Sequence, residues 1–407
     1  MGARRVAITG LGAICALGNS IPELWKSVCE GRSGIGPIHS VDLTALRFRN
    51  GAQVSGYDPA QHFAGNRPRF MDPFAQFAVV AAREAIADAG IAFTPDLLEN
   101  TAIVTGSGLG GQSTLGAGLA LLYQGKPLLF DGPLVIPRSM ANAGASHISM
   151  EFGITGPAYT VSTACCSANH AIGNAFRMVR DGDAELAIAG GSDSPFGFGL
   201  LKAFEAMRVV SPDTCRPFSR DRHGFILGEG GAMLILEPLD AAIARGATIH
   251  AELVGFGMSS DALHLTQLNS AGPVRAMRAA LRDAALAPEQ IGYINAHGSG
   301  TPINDTVETH AIRELFGPHA DRLAVSSTKS LHGHALGATG ALEAICTILA
   351  LERGILPPTA NFLGPDPECD LDIVPNHSRP AQVECALSNS FAFGGLNAVL
   401  AFQRAPN

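Results

Sequence analysis

Eight cysteines occur in 407 residues, but no two make a CxxC pair, and no HxxxH, HExxH or Cys/His cluster shows metal-ligand spacing. That excludes the common zinc frameworks, and it leaves a reduced, cytosolic protein as the simplest expectation. Charged residues are scarce, at 16%, and the formal net charge is −8. An acidic chain of this kind lacks the broad basic face that nucleic acid or an anionic membrane requires. No apolar run approaches the roughly 20 residues of a membrane-spanning helix, so no membrane span is expected. The start, MGARRVAITGLGAICALG, sets two arginines before apolar residues. Thr9, Gly10 and Gly12 break that run and it alternates, so a strand is expected there and not a secretory leader. Val6 stands where a myristoylation pattern wants Ser or Thr.

What is present is a core-rich chain, 46% hydrophobic, with two to three domains' worth of length. Short β-branched runs alternate with helical stretches. RRVAITGLG, NTAIVTGSGLGG, AYTVSTAC, AELAIAGGSD, HAELVGFGMSSD and IGYINAHGSG read as strands entering loops. FAQFAVVAAREAIADAG reads as an amphipathic helix closed by glycine. This alternation predicts an α/β protein with helices on mostly parallel sheets. Two similar halves are expected, 1–248 and 249–407, packed together without a linker. The stretch from about 113 to 147 reads as an irregular insertion or cap.

VSTACCSANHAIGNAFRMVRDG, from Val161 to Gly182, brings a strand to two adjacent cysteines and then a helix. A helix start offers unpaired N–H groups and the positive end of the helix dipole. Both favour a thiolate, so a depressed thiol pKa is expected there, and the same N–H groups can serve an oxyanion. Residues consecutive in a helix start lie roughly 100° apart. At most one of Cys165 and Cys166 faces a given substrate, and spacing does not choose between them.

The second half supplies possible partners. His297 follows an apolar strand and precedes a Gly/Ser/Thr loop. Lys329, His332 and His334 lie between a strand and a glycine-rich helix start. Strand ends in small-residue loops are where α/β scaffolds expose catalytic groups. Phe393-Gly394-Gly395 reads as a tight turn that lets a backbone N–H approach a ligand.

TAC at Thr163 to Cys165, NAHGSGTP at Asn295 to Pro302, STKSLHGH at Ser327 to His334 and NSFAFGG at Asn389 to Gly395 stand in this order. With these motifs in register the chain resembles the β-ketoacyl-acyl-carrier-protein synthases of the condensing-enzyme (thiolase-like) superfamily, synthase II type. The resemblance runs from Arg4 to about Phe402. It implies a thiolase-like fold of two similar halves in five layers, α-β-α-β-α, usually dimeric. It implies Cys165 as the acylated nucleophile, with His297, His334 and Lys329 as its catalytic companions. Asp305, Glu308 and Glu343 match supporting electrostatic positions. Ser299, Thr301 and Thr266 match positions that hold phosphopantetheine. The N–H groups of Cys165 and Phe393 would form the oxyanion hole, with Phe393 also a gate and Leu109 lining the acyl pocket.

The implied chemistry is decarboxylative Claisen condensation of an acyl-enzyme with a malonyl thioester. It needs no metal and no separate cofactor, since the substrates ride on the phosphopantetheine of an acyl carrier protein. Arg67, Arg69 and Arg208 match positions that dock that acidic carrier. The basic pair expected before the cap strand is instead Leu129-Phe130, which suits a partner subunit. A homodimer is implied, or a heterodimer with a chain-length-factor-like subunit. The loop HGSGTP replaces the common HGTSTP, and Leu396 stands where Thr is usual. These details, with SANHAI and GGSDSP, are similar to the nodulation protein E type and to aryl-polyene and polyene ketosynthases, which favours specialised chain elongation over housekeeping fatty-acid synthesis.

Three other readings compete. GSGLGG at Gly106 to Gly111 satisfies a dinucleotide fingerprint, and no acid lies between Gly111 and Phe130 although Asp131 follows directly; an NAD-dependent dehydrogenase is disfavoured because the rest of the chain matches the condensing-enzyme motifs. A non-catalytic chain-length factor would lack the nucleophilic cysteine. A coenzyme A-dependent thiolase would pair the nucleophile with a second cysteine and one later histidine.

Overall fold

The architecture is that of a computed structural model, which describes residues 3–127, 132–265 and 267–406. Leu129, Phe130 and Thr266 lie outside the described residues.

The first apolar run forms β1 (Val6–Cys15), buried along its whole length. Four more strands of the main sheet follow in the first half: β2 (Thr101–Gly106), β3 (Ala158–Val161), β4 (Leu186–Asp193) and β5 (Gly230–Pro238). The second half supplies β6 (Ala251–Ser260), β7 (Ile291–Asn295), β8 (Ala324–Ser326), β9 (Cys385–Ala392) and β10 (Leu396–Arg404). They hydrogen-bond in the order β8-β7-β9-β10-β6-β1-β5-β4-β2-β3. Counted outward from the centre, each half places its first strand innermost, then its fifth, fourth, second and third. One topology is therefore used twice, and the seam is short: Val6, Ala7 and Ile8 pair with Leu253, Glu252 and Ala251.

The expectation of mostly parallel sheets needs correction. The wings are parallel, β3–β2–β4 and β8–β7–β9, but the middle is antiparallel from β4 through β5, β1, β6 and β10 to β9. Apart from the β9–β10 hairpin, the antiparallel neighbours are not joined by tight turns, so strand–helix alternation does not reveal them.

Helices α1 (Pro73–Ala89) and α6 (Ala271–Asp283) cover the outer faces of the two half-sheets, on β1 and on β6. Between the half-sheets lie α4 (Ser167–Asp181) and α8 (Thr339–Arg353), which touch each other and strands of both halves. The result is the expected five layers. In α8 every residue from Thr339 to Leu351 is buried, as a helix enclosed on all sides must be. The outer helices press on bare backbone: a Cβ at Gly12 would lie 2.0 Å from Ala81 O, and one at Gly257 would lie 2.1 Å from Ala276 O. Each half thus uses a glycine at the same place to seat its outer helix.

The stretch read as an irregular cap is largely helical. It contains α2 (Gln112–Tyr123) and the start of α3 (Ala143–Phe152). Helix α2 exposes Leu119, Leu122 and Tyr123. A further helix of the first half, α5 (Phe198–Met207), packs near it. In the second half α7 (Pro302–Phe316) follows β7. Among the described residues, no helix is long and apolar enough to cross a membrane.

Candidate active site

Strand β3 ends at Val161, and the chain turns before α4 begins. Ala164 makes that turn with φ of 50°, a left-handed conformation that a residue with a Cβ adopts at a cost of roughly 1–2 kcal/mol. Ser167 holds the turn closed. Its hydroxyl accepts from Thr163 N–H at 2.9 Å and donates to Ala164 O at 2.6 Å. The two cysteines then part. Cys166 is fully buried, with its sulfur 2.9 Å from Ser390 O and 3.1 Å from Leu396 O. Cys165 faces a cavity instead, and its Sγ is 3.1 Å from His334 Nε2.

His334 is aimed by its other ring nitrogen, 2.8 Å from Thr339 Oγ1 at the start of α8. The His297 ring stands nearly perpendicular to it, with centroids 5.6 Å apart. Both rings line a cavity of about 40 Å³ together with Cys165, Ser299, Thr301 and Phe393. A second cavity of about 90 Å³ opens from the same sulfur past Leu109, Phe204 and Leu336. The N–H groups of Cys165 and Phe393 both lie within hydrogen-bonding reach of the Cys165 sulfur. Phe393 is half-buried and precedes Gly394, whose φ of 86° turns β9 into β10.

Lys329 has no exposed surface. Its ammonium donates to His297 O at 2.5 Å and pairs with the equally buried Glu343. Burial drives the pKa of both imidazoles well below 6.5, and the Lys329 charge adds to that, so both rings are neutral at pH 7. Burial lifts Glu343, while Lys329 pulls it back down. Glu308 accepts the backbone N–H groups of His297 at 2.8 Å and Gly298 at 2.7 Å. It therefore fixes the end of β7 and does not reach the cavity itself. Asp305 does similar work one layer out, accepting from Phe218 N–H at 2.8 Å and Gly300 N–H at 3.1 Å. The hydroxyls of Ser299 and Thr301 are 2.9 Å apart.

The expected depression of the Cys165 thiol is overturned. Burial pushes it up to about 11, despite Lys329 and the two N–H groups, which favour the thiolate. The desolvation of a fully enclosed sulfur outweighs what a helix start supplies. The arrangement suits proton transfer from thiol to a neutral imidazole, not a standing thiolate.

His332 is turned away, with its ring nitrogens 2.7 Å from Gly333 O and 2.9 Å from Thr328 Oγ1. Arg67 is tied to Glu151, and Arg69 lies on the same short turn. Arg208 is exposed at the end of α5, the helix that carries Phe204. Sequence reasoning missed Thr339, Phe204, Phe225 and Leu336. Only Thr339 left a signal, a hydroxyl five residues after His334. Among the described residues, no group of three or more His, Cys, Asp or Glu is placed to hold a metal ion.

Comparison with known proteins agrees with this geometry. The family model for the β-ketoacyl synthase N-terminal domain matches residues 3–242, and that for the C-terminal domain matches 250–363. The chain is 47% identical over 402 residues to nodulation protein E of Rhizobium sp. (strain N33), covering 98% of this chain and 99% of that protein. It is 42% identical over 409 residues to 3-oxoacyl-[acyl-carrier-protein] synthase 2 of Synechocystis sp. (strain ATCC 27184 / PCC 6803 / Kazusa), covering 98% of each. Among solved structures, the ishigamide ketosynthase/chain length factor superposes with a TM-score of 0.95 at 37% identity over all of both chains. With family models matching both halves and full-length relatives on either side, the chain belongs to the β-ketoacyl synthase family and is a condensing acyltransferase of the thiolase-like fold.

Proposed function

We propose that this chain elongates an acyl group by two carbons, with Cys165 as the nucleophile and His297 and His334 as the catalytic imidazoles. The observation that carries the reading is the 3.1 Å approach of Cys165 Sγ to His334 Nε2 in a cavity that His297 shares.

In the first step the Cys165 proton passes to His334 Nε2, and the sulfur attacks the carbonyl carbon of an incoming acyl thioester. The tetrahedral oxyanion is held by the N–H groups of Cys165 and Phe393. The carrier thiolate leaves with the proton, and the acyl group remains on Cys165. In the second step a malonyl thioester loses its carboxylate as CO₂. The bonding pair moves into an enolate whose oxygen accepts from the Nε2–H of His297, and from His334 once that ring's proton has moved from Nδ1, beside Thr339, to Nε2. His297 Nδ1 is buried without a partner, which favours the tautomer with its proton on Nε2. The enolate carbon attacks the acyl carbonyl, a carbon–carbon bond forms, and the carbon–sulfur bond to Cys165 breaks, releasing a thiolate that takes up a proton from water to restore the thiol. The neutral state of both rings serves this step, because a donor that keeps its proton stabilises the enolate without quenching it.

Lys329 and Glu343 position the His297 strand end, and Lys329 adds to the burial that keeps both rings uncharged. Glu308 and Asp305 hold the surrounding loops. Ser299 and Thr301 are the proposed contacts for phosphopantetheine, and Leu109 and Phe393 the walls of the acyl pocket. The name of the Synechocystis relative supports an acyl carrier protein as the partner. Arg67, Arg69 and Arg208 are its proposed docking cations, Arg67 being already paired with Glu151. The likeness to nodulation protein E supports a specialised chain over a housekeeping one.

The test is to offer the protein a panel of acyl-carrier proteins and read the acyl-enzyme by intact mass. Wild type should gain one acyl group and Cys165→Ala none. Wild-type protein that never gains one would defeat the reading.

A further inference from the structure

A cluster outside the chemistry joins the two loops that wall the acyl cavity. Asp193 is the last residue of β4 and is 1% exposed. Its Oδ1 accepts from the Ser107 hydroxyl at 2.6 Å. Its Oδ2 accepts from Gly108 N–H at 2.8 Å and from Gly337 N–H at 2.7 Å. Ser107 Oγ in turn accepts from Gly110 N–H at 3.0 Å. One carboxylate therefore fixes the Ser107–Gly110 turn, which presents Leu109, and the backbone next to Leu336, whose φ of 47° is strained.

Gly108, Leu109 and Leu336 all line the 90 Å³ cavity at Cys165. Leu336 also packs in one apolar cluster with Phe196. Phe196 and Ser194 line a separate cavity of about 850 Å³, which shares no lining residue with the smaller one. The Asp193 clamp therefore holds two walls of the small cavity at Cys165, while Ser194, next to it in the chain, lines the large one. The donors at both oxygens are neutral, so the carboxylate is not there as half of an ion pair. Burial lifts its pKa only to about 6, so at neutral pH it remains an acceptor for every donor around it. Buried carboxylates in such a cradle are costly to place and hold geometry closely.

We infer that Asp193 is a positioning residue that limits the length of acyl chain the enzyme accepts, by holding the Leu109 and Leu336 walls of the pocket together. This rests on the proposed role of Cys165. Asp193 touches neither the sulfur nor the imidazoles, so its loss should leave decarboxylation intact. Asp193→Asn turns one acceptor into a donor that faces donors, and the two wall loops should separate.

The experiment loads wild type, Asp193→Asn and Ser107→Ala from a series of acyl-carrier proteins of increasing chain length, and measures CO₂ release from malonyl-carrier protein in parallel. The expected result is a rise in the long-to-short loading ratio by roughly tenfold in Asp193→Asn, the scale of discrimination a pocket wall supplies. Ser107→Ala should shift the ratio the same way by less. CO₂ release should stay near the wild-type rate. A loss of stability alone would lower every loading rate without moving the ratio. Should Asp193→Asn fail to fold, Ser107→Ala decides. An unchanged ratio in the folded variants, or parallel losses of loading and decarboxylation, overturns the inference while leaving the proposed function standing. A wild type that loads no acyl group at all removes the proposed function, and this inference with it.

Discussion

Cys165 Sγ and His334 Nε2 stand 3.1 Å apart although 169 residues separate them in the chain. Neither half of the molecule holds both groups. The contact exists only where α4 and α8 meet between the half-sheets, and it gives the buried thiol its proton acceptor.

The two cysteines should behave differently. Cys165→Ala should abolish acyl-enzyme formation on intact-mass analysis. Cys166→Ala should still acylate, because its sulfur is buried against Ser390, Leu396 and Ala398 and lines neither cavity. A Cys166 variant that cannot be acylated, while retaining wild-type melting behaviour, would move the nucleophile to the wrong residue.

The imidazoles should separate by step. His334→Ala should slow acyl loading by about 10²–10³-fold, the usual scale for losing a positioned catalytic group, because it removes the acceptor of the thiol proton. His297→Ala should leave loading within a small factor of wild type while lowering CO₂ release by a comparable 10²–10³-fold. Single-turnover assays of each half-reaction distinguish the two patterns.

Lys329→Met should leave Glu343 buried and alone. Breaking one side of such a pair costs about 3–5 kcal/mol, readable as a lower midpoint in urea. The Lys329 charge also holds both histidines low. Its removal should move the acid limb of the decarboxylation profile to higher pH.

Stability should fall on the alkaline side through His250. Its ring lies 2.8 Å from Asp88 Oδ2 and 3.0 Å from Glu352 Oε2, and these carboxylates raise its pKa to about 9 from 6.5 in spite of burial. The folded state binds this proton more tightly than the unfolded chain. The contribution is therefore complete below pH ~6.5 and is lost as pH rises through about 9. Because Asp88 is partly exposed, solvent screening reduces the effect to roughly 1–2 kcal/mol. Urea unfolding at pH 6 and pH 9.5 should show the drop in wild type and a flatter response in His250→Gln.

The sheet ends at β3, whose residues Ala158 and Tyr159 are exposed. An open edge strand with Met150 and Tyr159 beside it is a template for a second chain. Sedimentation should report a dimer for the wild type and a monomer for Thr160→Pro. A wild-type monomer that dimerises only with a co-expressed related subunit would point to a heterodimer instead.

Much of this was legible before any coordinates. The loops that carry Cys165, His297 and His334 stand out because small polar residues interrupt apolar strands there. The antiparallel centre did not stand out, since β1 takes its neighbours from Gly230–Pro238 and Ala251–Leu253. Helix α2 read as irregular because Gly116 and Gly118 look like breakers and no polar face marks it. The strain at Ala164 is invisible in an alanine. The thiol was misjudged because a helix start is visible in sequence and the depth of burial around a sulfur is not.

The repeated topology has one more consequence. The connection from the third strand to the following central helix carries Cys165 in the first half, and the same connection in the second half carries Lys329 and His334. A symmetric ancestor would have presented two identical loops to each other across a twofold axis, able to offer two thiols or two bases but not one of each. Because the two connections differ, a single site receives a thiol from one half and an imidazole from the other.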